Sequence, residues 1–421
     1  MEPLRRRVGV RIQVHEILIA MRMVAALLCQ CGSLEFQDPS STRPLQPRRC
    51  DQPSPVPFEF RLNVRLCSNR RLIPDSADFD EEGTRNLHFL RKLFFALLVL
   101  VGLLLTAWAA AALYFDFQLA SLRVPLAVLY LALMLGAFFC LRPRPSRVLV
   151  LFAGFVLVAL WWFSLKPTNQ RNWQPDNAQT ASADIAGDHI TIHNFRNCSY
   201  VTELDYTCQW ETRSFDLANL SGADIFITWW GPTLIAHPIV SFDFGPQGYV
   251  PFSIETRDVV GQSYSAVRGF FRQYELAYIV SDERDVVRLR TNYRKDEEVY
   301  IFRTTVPPQL TRKIFLDYIQ RVNDLHNHPE WYNALTNNCT TNIDVSASQA
   351  RGRSTVWDWR VLLNGKMDEM MDEHGTLVNG GLPLPALKAQ AHINPAAKAA
   401  DDRPDWSQLI RVGRVGFTKQ P

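Results

Sequence analysis

The sequence predicts three transmembrane helices followed by an exported α+β domain. Residues 93–115, 124–141 and 148–165 form three uncharged apolar segments, and each is long enough to cross a hydrocarbon core about 30 Å thick as a helix. After residue 188, patterns typical of strands precede patterns typical of helices. That order favours an α+β domain over alternating βα units.

Basic residues in the short flanks of the apolar segments predict their orientation. Arg85, Arg91 and Lys92 precede the first segment, and Arg-Pro-Arg-Pro-Ser-Arg at 142–147 joins the second to the third. Because lysine and arginine favour the cytoplasmic side, the amino end is predicted to lie inside and everything after Lys166 outside. Residues 85–165 are therefore the anchor, and the polar stretch 166–187 is a linker.

The leader, residues 1–84, differs in composition from the rest of the chain. It holds twelve arginines, no lysine and four of the cysteines, and it lacks a sustained apolar period. Such a segment is predicted to be disordered, or to come from a reading frame extended upstream of the true start. The apolar patch at 17–28 resembles a short signal or anchor segment only weakly. No basic block with interleaved aromatic residues occurs, so nucleic acid is not an expected partner.

The first half of the exported domain, assigned to residues 188–370, carries strand signals. Residues 189–193, 200–210 and 224–230 are β-branched, aromatic or alternating, as is typical of strands. Residues 235–244 and 249–257 flank a Gly-Pro-Gln-Gly turn and are predicted to form a hairpin.

The second half carries helix signals. Helices are predicted at 267–275, at 309–325, where apolar residues recur every three or four positions, and at 340–350. Residues 371–421 are predicted to be a loop-rich extension of the domain.

One cysteine of the exported domain requires an explanation. Cys198 and Cys208 could form a disulfide, although spacing alone does not fix the pairing, and Cys339 is left over. Asn338 is a good N-cap, so Cys339 would occupy the first helical position, where the helix dipole lowers the thiol pKa and creates a nucleophile. The alternative is a buried structural cysteine. The residues alone do not decide between the two.

His237 is the histidine whose position favours a role beside that thiol. It lies inside an apolar strand, where it is either a general base or a hydrogen-bonded core residue. If the hairpin turn centres on residues 246 and 247, Glu255 or Thr256 lies opposite His237. A carboxylate there could orient the ring, whereas a surface pair between Glu255 and Arg257 is the competing interpretation.

Several arginines between residues 268 and 294 could bind an anionic ligand or form a salt-bridged surface. They are Arg268, Arg272, Arg284, Arg288, Arg290 and Arg294. Neighbouring carboxylates at Glu275, Asp282, Glu283 and Asp285 favour the second interpretation.

Four motifs in order resemble the Lnb N-terminal periplasmic domain family over roughly residues 185–370. They are Phe-Phe-Arg-Gln-Tyr-Glu-Leu (270–276), Ser-Asp-Glu-Arg-Asp (281–285), Arg-Leu-Arg-Thr-Asn-Tyr (288–293) and Trp-Tyr-Asn-Ala-Leu-Thr-Asn-Asn-Cys-Thr-Thr (331–341). The resemblance implies a circularly permuted papain-like fold. It also implies Cys339 as nucleophile, His237 as base and Glu255 as a third catalytic member. Arg257, Arg272 and Asn338 are the residues expected to contact substrate.

The resemblance implies an enzyme of the bacterial inner membrane whose domain faces the periplasm. The expected activity is acyl transfer, or amide or ester hydrolysis, through a thioester, with no metal or diffusible cofactor. Expected substrates are a membrane lipid, a lipoprotein or a peptidoglycan peptide, and a peptidoglycan peptidase is one alternative. In the enzyme that gives the family its name, a lipoprotein N-acylation enzyme, the membrane helices follow the domain, whereas here they precede it. A second alternative is a non-catalytic envelope module that binds an anionic ligand through its arginines. The sequence does not determine the oligomeric state.

Overall fold

Long apolar helices come first in the part of the chain that the computed structural model describes, which is residues 77–142, 144–231, 234–352 and 358–417. Helix α1 is Ala77–Asp116, α2 is Ala120–Cys140 and α3 is Arg144–Ser164. All three are long and apolar enough to cross a membrane, which confirms the predicted helices. Residues 1–76 of the predicted leader lie outside the described ranges. Its last eight residues, 77–84, belong to helix α1, so the disorder predicted for them is wrong.

The exported domain begins with a three-stranded antiparallel sheet. It consists of β1 (Ser182–Ala186), β2 (His189–Tyr200) and β3 (Tyr206–Asp216) in that order. The prediction of a strand over residues 200–210 is wrong in its first half, because residues 201–205 form the turn between β2 and β3. Cys198 and Cys208 lie directly opposite each other across that hairpin and form a disulfide.

A five-stranded antiparallel sheet forms the centre of the domain. Its strands are β4 (Gly222–Trp230), β5 (Ala236–Asp243), β6 (Tyr249–Arg257), β7 (Glu275–Val280) and β8 (Glu297–Arg303), in the order β7-β6-β5-β4-β8. The predicted hairpin is confirmed, with Ile239 opposite Ser253. The predicted helix at 267–275 is wrong, because that segment is a single 3₁₀ turn leading into β7.

Two helices cover one face of the central sheet. These are α5 (Pro308–Asn327) and α6 (Cys339–Arg351), and the short helix α4 (Glu283–Val286) precedes them in the chain. The side chains of α5 and α6 pack in one cluster with the side chains of β5 and β6 that point to their face. The helices predicted at 309–325 and 340–350 are therefore confirmed.

The C-terminal residues complete the domain. Helices α7 (Met367–Glu373), α8 (Leu384–Ala391), α9 (Asn394–Ala400) and α10 (Trp406–Leu409) pack against both faces of the central sheet. Arg411, which follows α10, is buried between Asp224 of β4 and Glu283 of α4 and donates hydrogen bonds to both. The described part of the chain is thus an antiparallel mixed α/β domain behind three membrane-length helices. The permuted papain-like arrangement stays a prediction.

Candidate functional site

Cys339 is the first residue of helix α6, as the sequence predicts. The side chain of Asn338 accepts a hydrogen bond from the Thr341 N–H at 3.0 Å, and the Thr341 hydroxyl oxygen accepts one from the Asn338 N–H at 2.9 Å. These two bonds form a reciprocal capping box, which fixes the start of the helix. The Asn338 amide also donates to the Ala334 carbonyl. The hydrogen bonds of Asn338 therefore stabilise the start of helix α6 and do not form part of an open binding surface.

The thiol of Cys339 is buried, with 9% of the residue exposed. Its sulfur lies 3.8 Å from the Thr340 hydroxyl and 3.9 Å from the Asn364 amide nitrogen. Burial raises the pKa of the Cys339 thiol. Hydrogen bonds from Thr340 and from the helix-start N–H groups lower it by less. The lowered thiol pKa expected from the helix dipole is thus wrong for the resting protein, because desolvation outweighs it.

His237 belongs to a short hydrogen-bonded chain on β5 and β6. Its ring Nε2 lies 2.8 Å from the Ser253 hydroxyl, which donates to Glu255 Oε1 at 2.5 Å. Because the hydroxyl proton points to Glu255, the Ser253 oxygen must accept from a protonated Nε2. Neutral His237 therefore carries its lone pair on Nδ1. Extending the pairing of Ile239 with Ser253 places Glu255 opposite His237, one of the two predicted partners.

A buried arginine sets the charge of this chain. Arg290 lies 3.3 Å from Glu255 and 3.2 Å from Glu297. Burial acts to raise the pKa of Glu255, but the Arg290 charge and the Ser253 hydrogen bond help to hold it well below its ordinary value. Burial, followed by the Arg290 charge, lowers the pKa of His237 to about 3. At neutral pH His237 is therefore a neutral imidazole, and the Glu255 carboxylate beside it is paired with Arg290.

The thiol and the imidazole approach the central sheet from opposite faces. Side chains alternate along a strand, so His237 shares its face with Ile239, while Val240 and Phe242 point to the face where Cys339 packs. In the structure, the hydrogen bonds of His237 go to Ser253 and those of Cys339 to Thr340 and Asn364.

Asn364 links the two groups at the start of β5. Its carbonyl oxygen accepts from the Ala236 N–H at 2.8 Å, one residue before His237. Its amide nitrogen donates to the Thr340 hydroxyl at 2.7 Å and faces the Cys339 sulfur. The side chain is buried, so it holds the helix start against the strand that carries His237.

The other predicted binding residues have structural partners. Arg257 is buried and donates to the carbonyl groups of Asn177 and Ala178 and to the Asn169 side chain. Arg272 donates to the Leu165 carbonyl, and its guanidinium carbon lies 4.2 Å from the centre of the Trp162 ring. These contacts join the linker and α3 to the domain and favour a supporting role over contact with substrate.

The arginines at 284–294 are paired with carboxylates. Arg284 and Arg288 both contact Asp402, and Arg294 contacts Glu203 and Glu297. This arrangement agrees with the salt-bridged interpretation of the sequence.

Two residues of the site, Ser253 and Asn364, are not predicted from the sequence, and Arg290 is predicted there only as one of six clustered arginines. Ser253 has a sequence signal, because it lies two positions before Glu255 and a strand directs both side chains to one face. Asn364 had no sequence signal, since its contact with Cys339 spans 25 positions.

A mostly apolar cavity of about 160 Å³ is lined by Thr340, the residue that follows Cys339. Apolar side chains from five elements line most of it. Strand β4 contributes Ala223 and Ile225, β5 contributes Val240 and Phe242, α5 contributes Ile314, α6 contributes Ile343 and Ala347, and α7 contributes Met367, Met370 and Met371. The lining also includes the ionisable side chains of Asp224, Asp344, Arg351, Asp358 and His374. The volume is close to that of apolar cavities of about 150 Å³ that bind benzene-sized molecules. A short hydrocarbon segment fits, whereas a polar stem peptide would lose its hydration there.

The fold and site define a class of protein in which a membrane-anchored α/β domain presents a buried cysteine at a capped helix start. Residues 206–365 match the model of the Lnb N-terminal periplasmic domain. The match contains His237, Glu255 and Cys339, and the chain therefore carries this domain behind a membrane anchor. No curated protein and no solved structure matches the chain. Three membrane-length helices and a domain named periplasmic together indicate a membrane-anchored periplasmic domain.

We expect the alkylation rate of Cys339 by iodoacetamide to be low near pH 6 and to rise through pH 9. Thiolate is the reactive form, and a raised thiol pKa means a smaller thiolate fraction at neutral pH than in an ordinary cysteine. The rate can be followed by mass spectrometry of peptide 322–351, whose single cysteine is Cys339. A His237→Gln variant should give the same curve, because the ring is bonded to Ser253 and not to the thiol. Rapid labelling below pH 7 that requires His237 would instead indicate a preformed thiolate–imidazolium pair.

Proposed function

We propose that this protein is a membrane-anchored cysteine acyltransferase that takes an acyl group from a lipid-linked donor onto Cys339 and passes it to an amine or to water. The observation that carries the proposal is the position of Cys339 at a capped helix start beside an apolar cavity. The family resemblance supports it, because the matched segment contains both members of the expected dyad.

In the proposed reaction, the thiol proton passes to Nδ1 of His237 as the sulfur attacks the acyl carbonyl carbon. The bond from that carbon to the leaving oxygen or nitrogen breaks, and the leaving group takes the proton back from the imidazolium. Water or an amine then attacks the thioester, releases the acyl product and restores the thiol. In this scheme the backbone N–H groups at Cys339 and Thr340 stabilise the oxyanion.

The proposed dyad is not assembled in the resting structure. The thiol is protonated, and the imidazole is bonded to Ser253 on the opposite sheet face. Ser253 and Glu255 hold Nε2 and leave Nδ1 as the accepting nitrogen. An imidazolium formed during the reaction gains from the nearby Glu255 carboxylate, 3.7 Å from Nε2. Proton transfer to Nδ1 therefore requires the start of β5 and the Cys339 helix start, which Asn364 joins, to rearrange when substrate binds. Alignment of an existing hydrogen bond is not sufficient, because the imidazole lies on the other sheet face and its pKa is lowered to about 3 by burial.

The cavity favours an acyl chain over a peptidoglycan peptide. Its lining is mostly apolar, with three methionines from α7 that can adapt to a flexible chain. The arginines that would serve an anion-binding module are paired with carboxylates instead, so the catalytic proposal is better supported.

The test incubates the full chain in lipid nanodiscs with a phospholipid, a diacylated lipopeptide or a muropeptide. Mass spectrometry of peptide 322–351 should then show one added acyl mass, removable by hydroxylamine, from a lipid-linked donor. Ala347→Phe should reduce the adduct from long-chain donors severalfold, because Ala347 lines the cavity.

Val345→Phe is the matched control, since Val345 lies exposed on the same helix and outside the cavity lining. It should leave the adduct unchanged. An adduct formed only with the muropeptide would contradict the acyl-donor class. A peptide unmodified by all three donors would count against covalent catalysis.

A further inference from the structure

Phe271 fixes the loop between β6 and β7 at the depth of the membrane helices. Its ring lies 4.8 Å from the Phe115 ring and 6.3 Å from the Trp108 ring, measured between centroids. Trp108 is eight residues before the end of α1 at Asp116, about 12 Å along the axis at 1.5 Å per residue. The Phe271 ring therefore lies below the end of α1, at a level that falls in the outer part of the bilayer when α1 spans the membrane.

Polar contacts hold the loop in this position. The Asp116 carboxylate accepts hydrogen bonds from the Trp162 indole at 2.7 Å, the Arg272 N–H at 3.1 Å and the Gln273 side chain at 2.7 Å. The Gln273 amide also donates to the Phe115 carbonyl. Because these bonds join α1, α3 and the loop, the domain is docked against the bundle and not merely tethered by the linker.

Large apolar side chains beside this docking point are exposed. Val267 is 57% exposed, Phe270 40% and Leu335 50%. Leu335 belongs with the loop because the Ala334 N–H donates to the Gly269 carbonyl at 2.8 Å. Arg268 is the only charged residue between Val259 and Phe271, so burying this surface in lipid requires little desolvation of charge. Val267, Phe270 and Leu335 are referred to below as the apolar rim.

The rim is also close to Cys339. Asn338, the residue before the cysteine, bonds to Ala334 beside Leu335. Tyr264 and Tyr332 share a hydrogen bond. Burial raises the pKa of both hydroxyls, and the charge of the nearby Cys339 thiolate raises it further. The loop that carries the rim therefore lies between the membrane helices and the cysteine.

We propose that the apolar rim inserts into the acyl region of the phospholipid leaflet on the side of the exported domain. The rim continues the lipid-facing surface of the helices, because its neighbour Phe271 is already packed among their aromatic side chains. Exposed apolar side chains at that depth lie in hydrocarbon or at its boundary, where they are stabilised by leaving water. This inference does not depend on the activity of Cys339.

The test places a photoreactive benzoylphenylalanine at Val267, Phe270 or Leu335, one position at a time, in the full chain. The proteins are reconstituted in nanodiscs of phosphatidylethanolamine and phosphatidylglycerol and irradiated, and phospholipid adducts are counted by mass spectrometry. Matched controls are Leu204 and Val412, which are at least as exposed but lie in the β2–β3 turn and after α10. Lipid adducts at the rim should exceed those at the controls severalfold.

A second measurement guards against disturbance by the bulky probe. Each variant is accepted only if its tryptophan fluorescence spectrum matches that of the unmodified chain, and a rejected position is replaced by Tyr264, also in the loop and exposed. Rim positions that form no more lipid adducts than Leu204 and Val412 would overturn the proposal. Adducts to a second copy of the chain in place of lipid would overturn it as well.

Discussion

Under the proposed function, Cys339→Ala should abolish the acyl adduct on peptide 322–351 and reduce turnover of the acyl donor by about three orders of magnitude or more, as loss of the nucleophile does in covalent enzymes. Alanine has no atom that can form the thioester. The measurement follows product release from a radiolabelled lipid donor by the full chain in nanodiscs, together with mass spectrometry of the peptide. Because Cys339 is buried beside apolar residues, alanine should leave the fold intact.

Cys140→Ala is the matched control for this substitution. Cys140 is the other free cysteine among the described residues and ends membrane helix α2. Its replacement should leave turnover unchanged. Full turnover by Cys339→Ala would show that Cys339 is a structural cysteine, the alternative that the sequence left open.

Arg411→Met should destabilise the exported domain by about 3–5 kcal/mol, the range observed when one partner of a buried ion pair is removed. The Arg411 guanidinium lies 2.8 Å from Asp224 and 2.6 Å from Glu283, and all three side chains are buried. Methionine fills a similar volume but leaves two buried carboxylates, of which Asp224 still contacts Arg303 at 2.7 Å. Urea unfolding of the full chain in detergent, followed by tryptophan fluorescence, gives the free energy of unfolding.

Arg403→Met is the control, because Arg403 forms an exposed pair with Asp405 in the same C-terminal segment. Exposed pairs contribute little, so its unfolding curve should overlay that of the unmodified chain. An unchanged curve for Arg411→Met would mean that the ion pairs of Arg411 add no net stability to the fold.

Elements defined by local pattern were predictable from the sequence. Uncharged segments of membrane length, the turn between β5 and β6 and the N-cap at Asn338 all act through near neighbours. The helix predicted at 267–275 shows where local pattern fails. That segment begins as a loop packed against α1 and α3 and ends at the start of β7, and these contacts outweigh its helix propensity.

The pKa of Cys339 illustrates the same limit. A helix start beside a good N-cap predicts a lowered thiol pKa from nearby residues alone. Burial depends on the sheet, α5 and residue 364, which are distant in sequence, and burial outweighs the local effect. The pairing of Ser253 with His237 and the charge of Arg290 likewise depend on strand register and on packing across the sheet face.

The sequence by itself determined the membrane anchor, the capped helix that begins at Cys339, and the hairpin that brings Glu255 or Thr256 opposite His237. Each follows from hydropathy, capping or turn geometry within a short stretch. Only the tertiary structure decided that the cysteine is buried beside an apolar cavity, that its thiol and the imidazole approach the sheet from opposite faces, and that the loop carrying Phe271 is docked among the membrane helices. These features depend on which side chains exclude water from which groups, and that is set by contacts between residues far apart in the chain.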